Sequence, residues 1–372
     1  MRVGTVTEIK PLERRVGLTP AAVSLLRGRG HEVLVQAGAA AGIGVADAAY
    51  VAAGAQIVAN AAEVFAGADM VVKVKEPQAC EIALLEPRHT LFTYLHLAAD
   101  HEQAAGLMAS GCTAIAFETV RDARGGLPLL KPMSQVAGRM AAIAGAYHLL
   151  TPGGGRGLLL SGVPGVPPAK VLILGGGVAG AAAAEVASGM RADVTILDLD
   201  AHRLAELDVQ FGGKVGTVVA SREALLERLP DADLVIGCVL VTGAAAPRLI
   251  TRADLKRMRT GSVLVDVAID QGGCFETSRP TTHLEPTFVV DGVIHYCVAN
   301  MPGAAPYTST YALSAATTPY VLALADKGVD RALSDDPGLA EGLNVARWRI
   351  THPAVAHALA GRLALNLVVE PA

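Results

Sequence analysis

The sequence VLILGGGVAG at residues 171–180, followed by AAAAEVA at 181–187, decides the fold. An apolar run precedes the glycines and helix-forming alanines follow them. A G-x-G-x-x-G motif made by Gly175, Gly177 and Gly180 therefore lies between a predicted strand and a predicted helix. In that position the first glycine allows a tight turn, the second lets a pyrophosphate approach the backbone, and the third lets helix and strand pack closely. The stretch predicts a dinucleotide-binding βαβ unit.

An acidic residue follows this motif at the distance that ribose recognition requires. The predicted strand Val194–Leu197 leads into Asp198, about 20 residues beyond Gly180. A carboxylate there accepts hydrogen bonds from the ribose diol and repels the 2′-phosphate of NADP, so NAD is the predicted cofactor. Asp200 is the competing ribose ligand, and Asp198 is favoured because it ends the strand.

Length and composition narrow the class of protein. The 372 residues predict about two domains, and 31 Lys and Arg against 35 Asp and Glu argue against nucleic acid or an anionic membrane as the main partner. Hydrophobic residues make up 52% of the chain, but the most apolar stretches, Val171–Gly189 and Leu234–Ala246, are interrupted by Gly and Thr, and the first contains Glu185. No membrane span is predicted. Buried parallel strands and a large subunit interface would account for the excess.

Cysteine and histidine usage predicts a reducing compartment and no metal site. The five cysteines are odd in number, and none forms a C-x-x-C pair. The first residues lack the apolar core of a secretory signal, which favours the cytoplasm. The ten histidines lack a convincing ligand cluster.

Strand-like and helix-like segments alternate along the chain, which is typical of a parallel sheet. A capping Thr19 with Pro20 behind it predicts the start of a helix that ends near Gly28 and Gly30. The other predicted elements before residue 130 are strands Val3–Val6, Glu32–Gln36 and Met70–Lys75 and a helix at Ala61–Ala66.

A second alternation begins after the predicted helix Pro132–Leu150. Its strands are Val171–Leu174, Val194–Leu197, Leu234–Leu240 and Ser262–Val267, and the later helices Tyr311–Asp326 and Ala354–Leu363 are predicted without strands of their own. The predicted fold is α/β, with two Rossmann-like doubly wound parallel-sheet domains and an active-site cleft between them. Residues 130–308 form the predicted NAD-binding domain, and residues 1–129 with 309–372 form a discontinuous substrate domain.

Polar residues stand where several predicted strands end, the edge at which open α/β sheets bind ligands. Lys73 and Lys75 share one face of a strand, His96 closes another, and Asp270 follows a strand of the nucleotide domain. Each has an ordinary structural interpretation: an edge lysine, a structural histidine, a turn aspartate. Together they offer a cation, an imidazole and an acid for proton transfer, and Arg15 adds a planar fork for a carboxylate.

Several short sequences give the chain its resemblance to a known family. ERRVGLTP, VKEP, YLHL and KPMS begin at residues 13, 74, 94 and 131. Further along the chain the resemblance is carried by residues 266–275, by SRPTT from residue 278, by CVANMPG from residue 297 and by TSTYAL from residue 308. Over nearly its whole length the chain resembles bacterial L-alanine dehydrogenases of the alanine dehydrogenase and pyridine nucleotide transhydrogenase family.

This resemblance implies reversible oxidative deamination of L-alanine to pyruvate and ammonium, with hydride transfer to NAD. It implies that Arg15 holds the substrate carboxylate and Lys75 the reacting amine or carbonyl oxygen. His96 would exchange protons with the reacting centre and the hydrolytic water, and Asp270 would share in that proton traffic. It also implies a homohexamer.

The resemblance extends to the cofactor contacts beyond the glycine motif. They are Ser134, Val178, Asp198, Arg203, Val239, Leu240, Val267, Ala268, Ile269, Asp270, Arg279, Val298, Ala299, Asn300 and Met301. Ala220 departs from the serine that the family often has near the adenine, and Ser221 is adjacent, so one hydrogen bond is in doubt.

Three other functions remain open from the sequence. The NAD-binding component of a transhydrogenase has a similar architecture but would not need Arg15, Lys75 and His96 together. Saccharopine and opine dehydrogenases would need a pocket for a larger substrate. An NAD-binding regulatory or scaffolding protein would need no catalytic set. For an L-alanine dehydrogenase, glycine and glyoxylate would also fit a pocket sized for a methyl group.

Overall fold

The computed structural model describes residues 1–239 and 246–360. The chain divides into two compact units, Met1–Met133 with Ala305–Ala372, and Ser134–Ala304. The first unit is therefore built from two separate segments of the chain, which are joined by the whole of the second.

The first segment forms six strands of the first unit's sheet: β1 (Arg2–Thr5), β2 (Glu32–Gln36), β3 (Gln56–Val58), β4 (Met70–Val72), β5 (Thr90–Thr93) and β6 (Thr113–Ala116). Helices α1 (Pro20–Gly28), α2 (Asp47–Ala52), α3 (Ala61–Gly67), α4 (Ala79–Ile82) and α5 (His101–Ser110) connect them. The six strands are parallel in the order β3-β2-β1-β4-β5-β6. The order reverses between β1 and β4, the point at which doubly wound sheets bind ligands.

The first helix shows how local sequence sets an element. The Thr19 hydroxyl accepts a hydrogen bond from the Ala22 amide at 3.3 Å, and Pro20 occupies the first helical position. The helix ends at Gly28, and Gly30 has a positive φ of 82°. The predicted start and end of this helix are confirmed.

The second unit repeats the architecture. Its strands are β7 (Lys170–Leu174), β8 (Asp193–Asp198), β9 (Gly216–Val219), β10 (Leu234–Gly237), β11 (Val263–Asp266), β12 (Thr287–Val290) and β13 (Val293–Tyr296). Its helices are α6 (Lys131–His148), α7 (Val178–Gly189), α8 (Ala201–Phe211), α9 (Arg222–Arg228) and α10 (Arg252–Leu255). Strands β9-β8-β7-β10-β11-β13 lie side by side and parallel, and β12 is antiparallel to β13 at the edge.

Alanine fills much of the second core. Ala181, Ala183, Ala184 and Ala187 of α7 are buried in one cluster with strand residues such as Ile173. Their short side chains let the helix lie close to the sheet, so the many alanines serve tight helix–sheet packing.

The second segment of the first unit adds α11 (Pro306–Lys327), α12 (Val329–Asp335), α13 (Pro337–Ala340), β14 (Leu343–Ala346), β15 (Arg349–Ile350) and α14 (Pro353–Leu359). Strand β14 is antiparallel to β6, and β15 is antiparallel to β14. The prediction that this segment has no strands is wrong. The two strands are short, and their hairpin turn, Arg347 and Trp348 with φ of 51° and 62°, lacks the glycine that usually signals such a turn.

Two sheets with helices between their strands confirm the predicted α/β class, although each sheet carries an antiparallel addition at one edge. The predicted end of the last helix at Leu363 lies outside the described residues. Within the described ranges, no helix combines the length and the hydrophobicity needed to cross a bilayer.

Candidate active site

The glycine loop between β7 and α7 has the geometry that phosphate binding requires. Gly175 has a positive φ of 96°, and a Cβ atom at Gly180 would lie against the Gly175 carbonyl oxygen. Gly177 precedes the first residue of α7, and a Cβ atom built there would meet nothing within 4 Å. The backbone at Gly177 is therefore open to a ligand at the positive end of the helix dipole.

The end of strand β8 lies beside this loop. One Asp198 carboxylate oxygen accepts a hydrogen bond from the Gly176 amide at 2.5 Å, and Arg203 Nε donates to the Gly176 carbonyl at 2.8 Å. Asp200 instead caps α8 by accepting from the amides of His202 and Arg203. This capping favours Asp198 over Asp200 as the ribose ligand.

Two further predicted contacts lie near the loop. Val239 follows β10, and its side chain would be 3.2 Å from a Cβ atom at Gly175. Helix α6 packs so closely that a Cβ atom at Gly138, one turn beyond Ser134, would strike the Ala179 backbone. Leu240 lies outside the described residues. Ala220 precedes Ser221, whose hydroxyl accepts from the backbone to cap α9.

Two separate segments meet at the carboxyl end of β11. A short 3-10 helix spans Ile269–Gln271, and the exposed Asp270 accepts a hydrogen bond from the Asn300 amide at 3.4 Å. The predicted groups 267–270 and 298–301 are therefore brought together. Arg279 is adjacent to the second of these segments, because its backbone hydrogen-bonds to the Cys297 thiol, and its guanidinium carbon lies 4.2 Å from the centre of the Phe288 ring.

A buried carboxylate that sequence analysis missed supports this loop. Asp266, at the end of β11, accepts hydrogen bonds from the Ala268 and Cys274 amides at 3.1 and 2.9 Å and from the Ser278 hydroxyl at 2.5 Å. Burial raises the pKa of Asp266 against the effect of these hydrogen bonds. The only sequence signal is its place immediately before the loop.

In the first unit, Arg15 is buried against an acidic partner. Its Nε and Nη2 atoms donate to the two Glu13 carboxylate oxygens at 2.7 and 2.5 Å, and Nη1 lies 3.0 Å from Met133 Sδ. The Arg15 side chain is 2% exposed. Burial alone would lower the Arg15 pKa, but the interaction with Glu13 outweighs the effect of burial, and the pKa is raised. The guanidinium is thus held in one orientation.

The two lysines after β4 have different surroundings. The prediction that they share one face of a strand is wrong, because the strand ends at Val72, before either lysine. Lys73 is fully buried, with Nζ 2.5 Å from a Glu81 oxygen and 3.2 Å from a Glu8 oxygen. Lys75 Nζ is 3.6 Å from a Glu76 carboxylate oxygen. Lys73 is therefore enclosed by acidic partners, and Lys75 is the better candidate for contact with a substrate.

His96 lies beyond β5 in an uncommon backbone conformation. It is exposed, and its φ of 51° and ψ of 34° are left-handed. Its ring is stacked on Tyr94 with centroids 5.9 Å apart, and its amide donates to Glu118 Oε1 at 2.6 Å. Ring stacking and a carboxylate thus hold an accessible imidazole at the strand end.

Arg15, Lys75 and His96 follow β1, β4 and β5, so all three lie at one edge of the first sheet, beside its switch point. Tyr94 interacts electrostatically with Arg15 and stacks on His96, and Thr93 Oγ1 donates to the Lys75 carbonyl at 2.9 Å. This edge offers two cations and one imidazole. Within the described part of the chain, no group of three or more His, Cys, Asp or Glu side chains could hold a metal ion.

Comparison with known proteins decides the family. The model of "Alanine dehydrogenase/PNT, N-terminal domain" matches residues 4–137, and that of "Alanine dehydrogenase/PNT, C-terminal domain" matches residues 141–353. The chain belongs to the alanine dehydrogenase/PNT family. The family expected from the sequence is thereby confirmed.

Curated members of the alanine dehydrogenase/PNT family match over nearly their full length. The alanine dehydrogenase of Halomonas elongata is 57% identical, and that of Mycobacterium tuberculosis 53%, each match covering 96% of both chains. A solved L-alanine dehydrogenase structure superposes with a TM-score of 0.93 at 49% identity, covering 97% of this chain and 99% of that one. A transhydrogenase from Sinorhizobium meliloti gives 0.80 at 26% identity, covering 95% and 100%. Identity is thus higher to the alanine dehydrogenases than to the transhydrogenase.

Proposed function

We propose that this chain is an NAD-dependent L-alanine dehydrogenase. It catalyses the reversible oxidative deamination of L-alanine to pyruvate and ammonium. The observation that carries the proposal is full-length identity of 49–57% to alanine dehydrogenases, combined with Arg15, Lys75 and His96 at one sheet edge.

Arg15 and Lys75 bind the substrate in this proposal. Glu13 binds the Nε and Nη2 edge of Arg15 and so fixes the orientation in which the guanidinium meets the alanine carboxylate. Lys75 binds the reacting amine or carbonyl oxygen and stabilises negative charge that develops on oxygen during hydrolysis of the imine. Both cations lie in largely buried surroundings, where their charge acts more strongly than in water.

His96 is the proposed proton carrier. The amino nitrogen must lose a proton before the α-carbon can release hydride, because only a free lone pair can form the carbon–nitrogen double bond. His96 takes that proton and later exchanges protons with the water that attacks the imine. Asp270, hydrogen-bonded to the Asn300 amide, shares in this proton transfer.

The second unit holds NAD in this proposal. The open backbone at Gly177 receives the pyrophosphate, and Asp198 binds the ribose diol, which excludes the 2′-phosphate of NADP. Segments 267–270 and 298–301 lie at the nicotinamide side. When bound, NAD supplies the hydride acceptor.

The test follows NADH absorbance with L-alanine and NAD, and with pyruvate, ammonium and NADH. Turnover in both directions is expected, and no turnover in either direction would refute the proposal. His96→Ala and Lys75→Ala should each lose most activity while NADH binding, followed by fluorescence, is retained. His101→Ala, at the exposed first residue of α5, is the matched control and should retain full activity. A panel of amino acids in the same assay tests glycine against alanine.

We also propose a cytoplasmic homohexamer. The hydrophobic content of 52% supports a large subunit interface. No disulfide forms among the described residues, and the five cysteines are free thiols, as a reducing compartment requires. Light scattering of the purified enzyme measures the mass, and a monomer would contradict the proposed assembly.

A further inference from the structure

We propose that Glu8 is a positioning residue that holds the backbone of Lys75, and that Lys73 and Glu81 hold Glu8 in turn. The inference rests on the proposed function, in which Lys75 contacts the substrate. It concerns three buried charged side chains that the reaction itself does not use.

Glu8 bridges the switch point of the first sheet. It lies just beyond β1, and its Oε1 atom accepts hydrogen bonds from the amides of Val74 and Lys75 at 2.6 and 3.3 Å. Val74 and Lys75 follow the end of β4, so the Glu8 carboxylate provides their amides with a hydrogen-bond acceptor where the strand has ended. On the other side, Thr93 Oγ1 donates to the Lys75 carbonyl at 2.9 Å. A side chain just beyond β1 and one at the end of β5 therefore fix the Lys75 peptide groups.

Lys73 and Glu81 keep the Glu8 carboxylate in place. Lys73 Nζ lies between the two carboxylates, 3.2 Å from a Glu8 oxygen and 2.5 Å from a Glu81 oxygen. The second Glu81 oxygen accepts from the Gln78 amide at 2.8 Å, which ties the cluster to the start of α4. The segment that carries Lys75 is thus attached at both ends.

The charged side chains of this cluster contribute more to the placement of Lys75 than to the stability of the fold. Burial alone would lower the Lys73 pKa, but attraction to Glu8 and Glu81 outweighs the effect of burial, and the pKa is raised. Lys73 therefore remains an ammonium ion. Burial raises the pKa of Glu8. Buried ion pairs contribute little to stability compared with apolar residues of the same volume. A displacement of about 1 Å at a reacting group can cost about 100-fold in rate. Placement of Lys75 is therefore the more valuable contribution.

Two variants of equal charge separate positioning from stability. Both carry Lys73→Met and Glu81→Gln, and they differ only at residue 8, which is Glu8→Gln in one and Glu8→Leu in the other. Glutamine keeps an oxygen that can accept from the Lys75 amide, whereas leucine has none. We expect kcat for alanine to be about 10- to 100-fold lower in the leucine variant than in the glutamine variant, with equal NADH affinity. Equal kcat values in the two, high or low, would overturn the proposal.

Hydrogen exchange gives a second measurement, independent of activity and of the triple variants. In the full-length single variant Glu8→Leu, the peptide covering residues 73–78 should exchange faster than in Glu8→Gln, while peptides from β10 and β11 should not change. Unchanged exchange at 73–78 would overturn the proposal even if the triple variants fail to fold. Asp254→Asn is the matched control, since Asp254 is, like Glu8, a buried carboxylate that accepts a hydrogen bond from a backbone amide. A wild-type enzyme inactive on alanine would refute the function, while exchange at 73–78 would still test the Glu8 contact.

Discussion

A methyl group added at Gly177 should weaken cofactor binding, whereas the same group added at Gly180 should lower the stability of the fold. A Cβ atom at Gly177 meets nothing within 4 Å, and the residue's φ of −63° suits alanine. A Cβ atom at Gly180 would lie against the Gly175 carbonyl oxygen and 3.3 Å from the Ile173 side chain. The first position faces open space and the second faces backbone.

The contacts set the expected magnitudes. Overpacking against backbone should make Gly180→Ala less stable by roughly 1–3 kcal/mol, which lowers Tm by about 2–12 °C for a domain of this size. Gly177→Ala should change the free energy of unfolding by less than about 1 kcal/mol, since reduced freedom of the unfolded chain offsets a poorer helix cap. Its methyl group would keep the pyrophosphate from the backbone. The loss of one charged hydrogen bond, about 1.5–3 kcal/mol, weakens NADH binding roughly 10- to 150-fold.

Urea unfolding and NADH fluorescence titration measure the two effects on the same preparations. Gly189→Ala, at the far end of α7 where a Cβ atom also meets nothing within 4 Å, controls for a methyl group outside the loop. Wild-type NADH affinity in Gly177→Ala would refute the assignment of the open backbone to pyrophosphate. Wild-type stability in Gly180→Ala would refute the packing argument.

Three further predictions concern single side chains. Asp198→Ala should lower the ratio of kcat/KM with NAD to that with NADP, because the charge that repels the 2′-phosphate is removed; an unchanged ratio would reject Asp198 as the ribose ligand. Tyr94→Phe should cost about 1 kcal/mol in urea unfolding, since the hydroxyl that donates to the Leu129 carbonyl at 2.6 Å is lost while the ring under His96 remains. Burial lowers the His89 pKa, so as pH falls below about 6.5 the unfolded chain takes up a proton before the folded chain does, and the free energy of unfolding decreases. His89→Gln should reduce this decrease in the free energy of unfolding between pH 7.5 and 5.5. An identical decrease in the variant would contradict its assignment to His89.

Most of the buried strands were predictable because parallel strands covered on both faces are continuous apolar runs, although the buried strands β6 and β13 were not predicted. Strand β7 is nearly as predicted, and β2 is the same residues. The edge strands β3 and β9 were missed, because they are short and partly exposed and carry a weak apolar signal. The hairpin β12–β13 carried a readable signal, Asp291-Gly292 with φ of 50° and 81°, whereas Arg347-Trp348 in the other hairpin did not.

The candidate site shows a similar division. Residues at strand ends could be proposed from the sequence because ligands of α/β sheets bind there. Glu8, Glu81 and Asp266 were missed, because each acts on backbone or charge that only the folded chain brings near. Glu8 and the Lys75 amide, for example, are 67 positions apart. Pairings of this kind leave no local pattern in a sequence.

The antiparallel partner of β6 has a consequence for synthesis on the ribosome. Strand β6 ends at Ala116, but β14 begins only at Leu343. At about 5–20 residues per second, the edge of β6 waits roughly 10–45 s after its own emergence for the strand that covers it. The inserted unit is completed during that interval and can fold first. The nascent chain therefore presents an uncovered strand edge to chaperones and to neighbouring nascent chains until β14 has been synthesised.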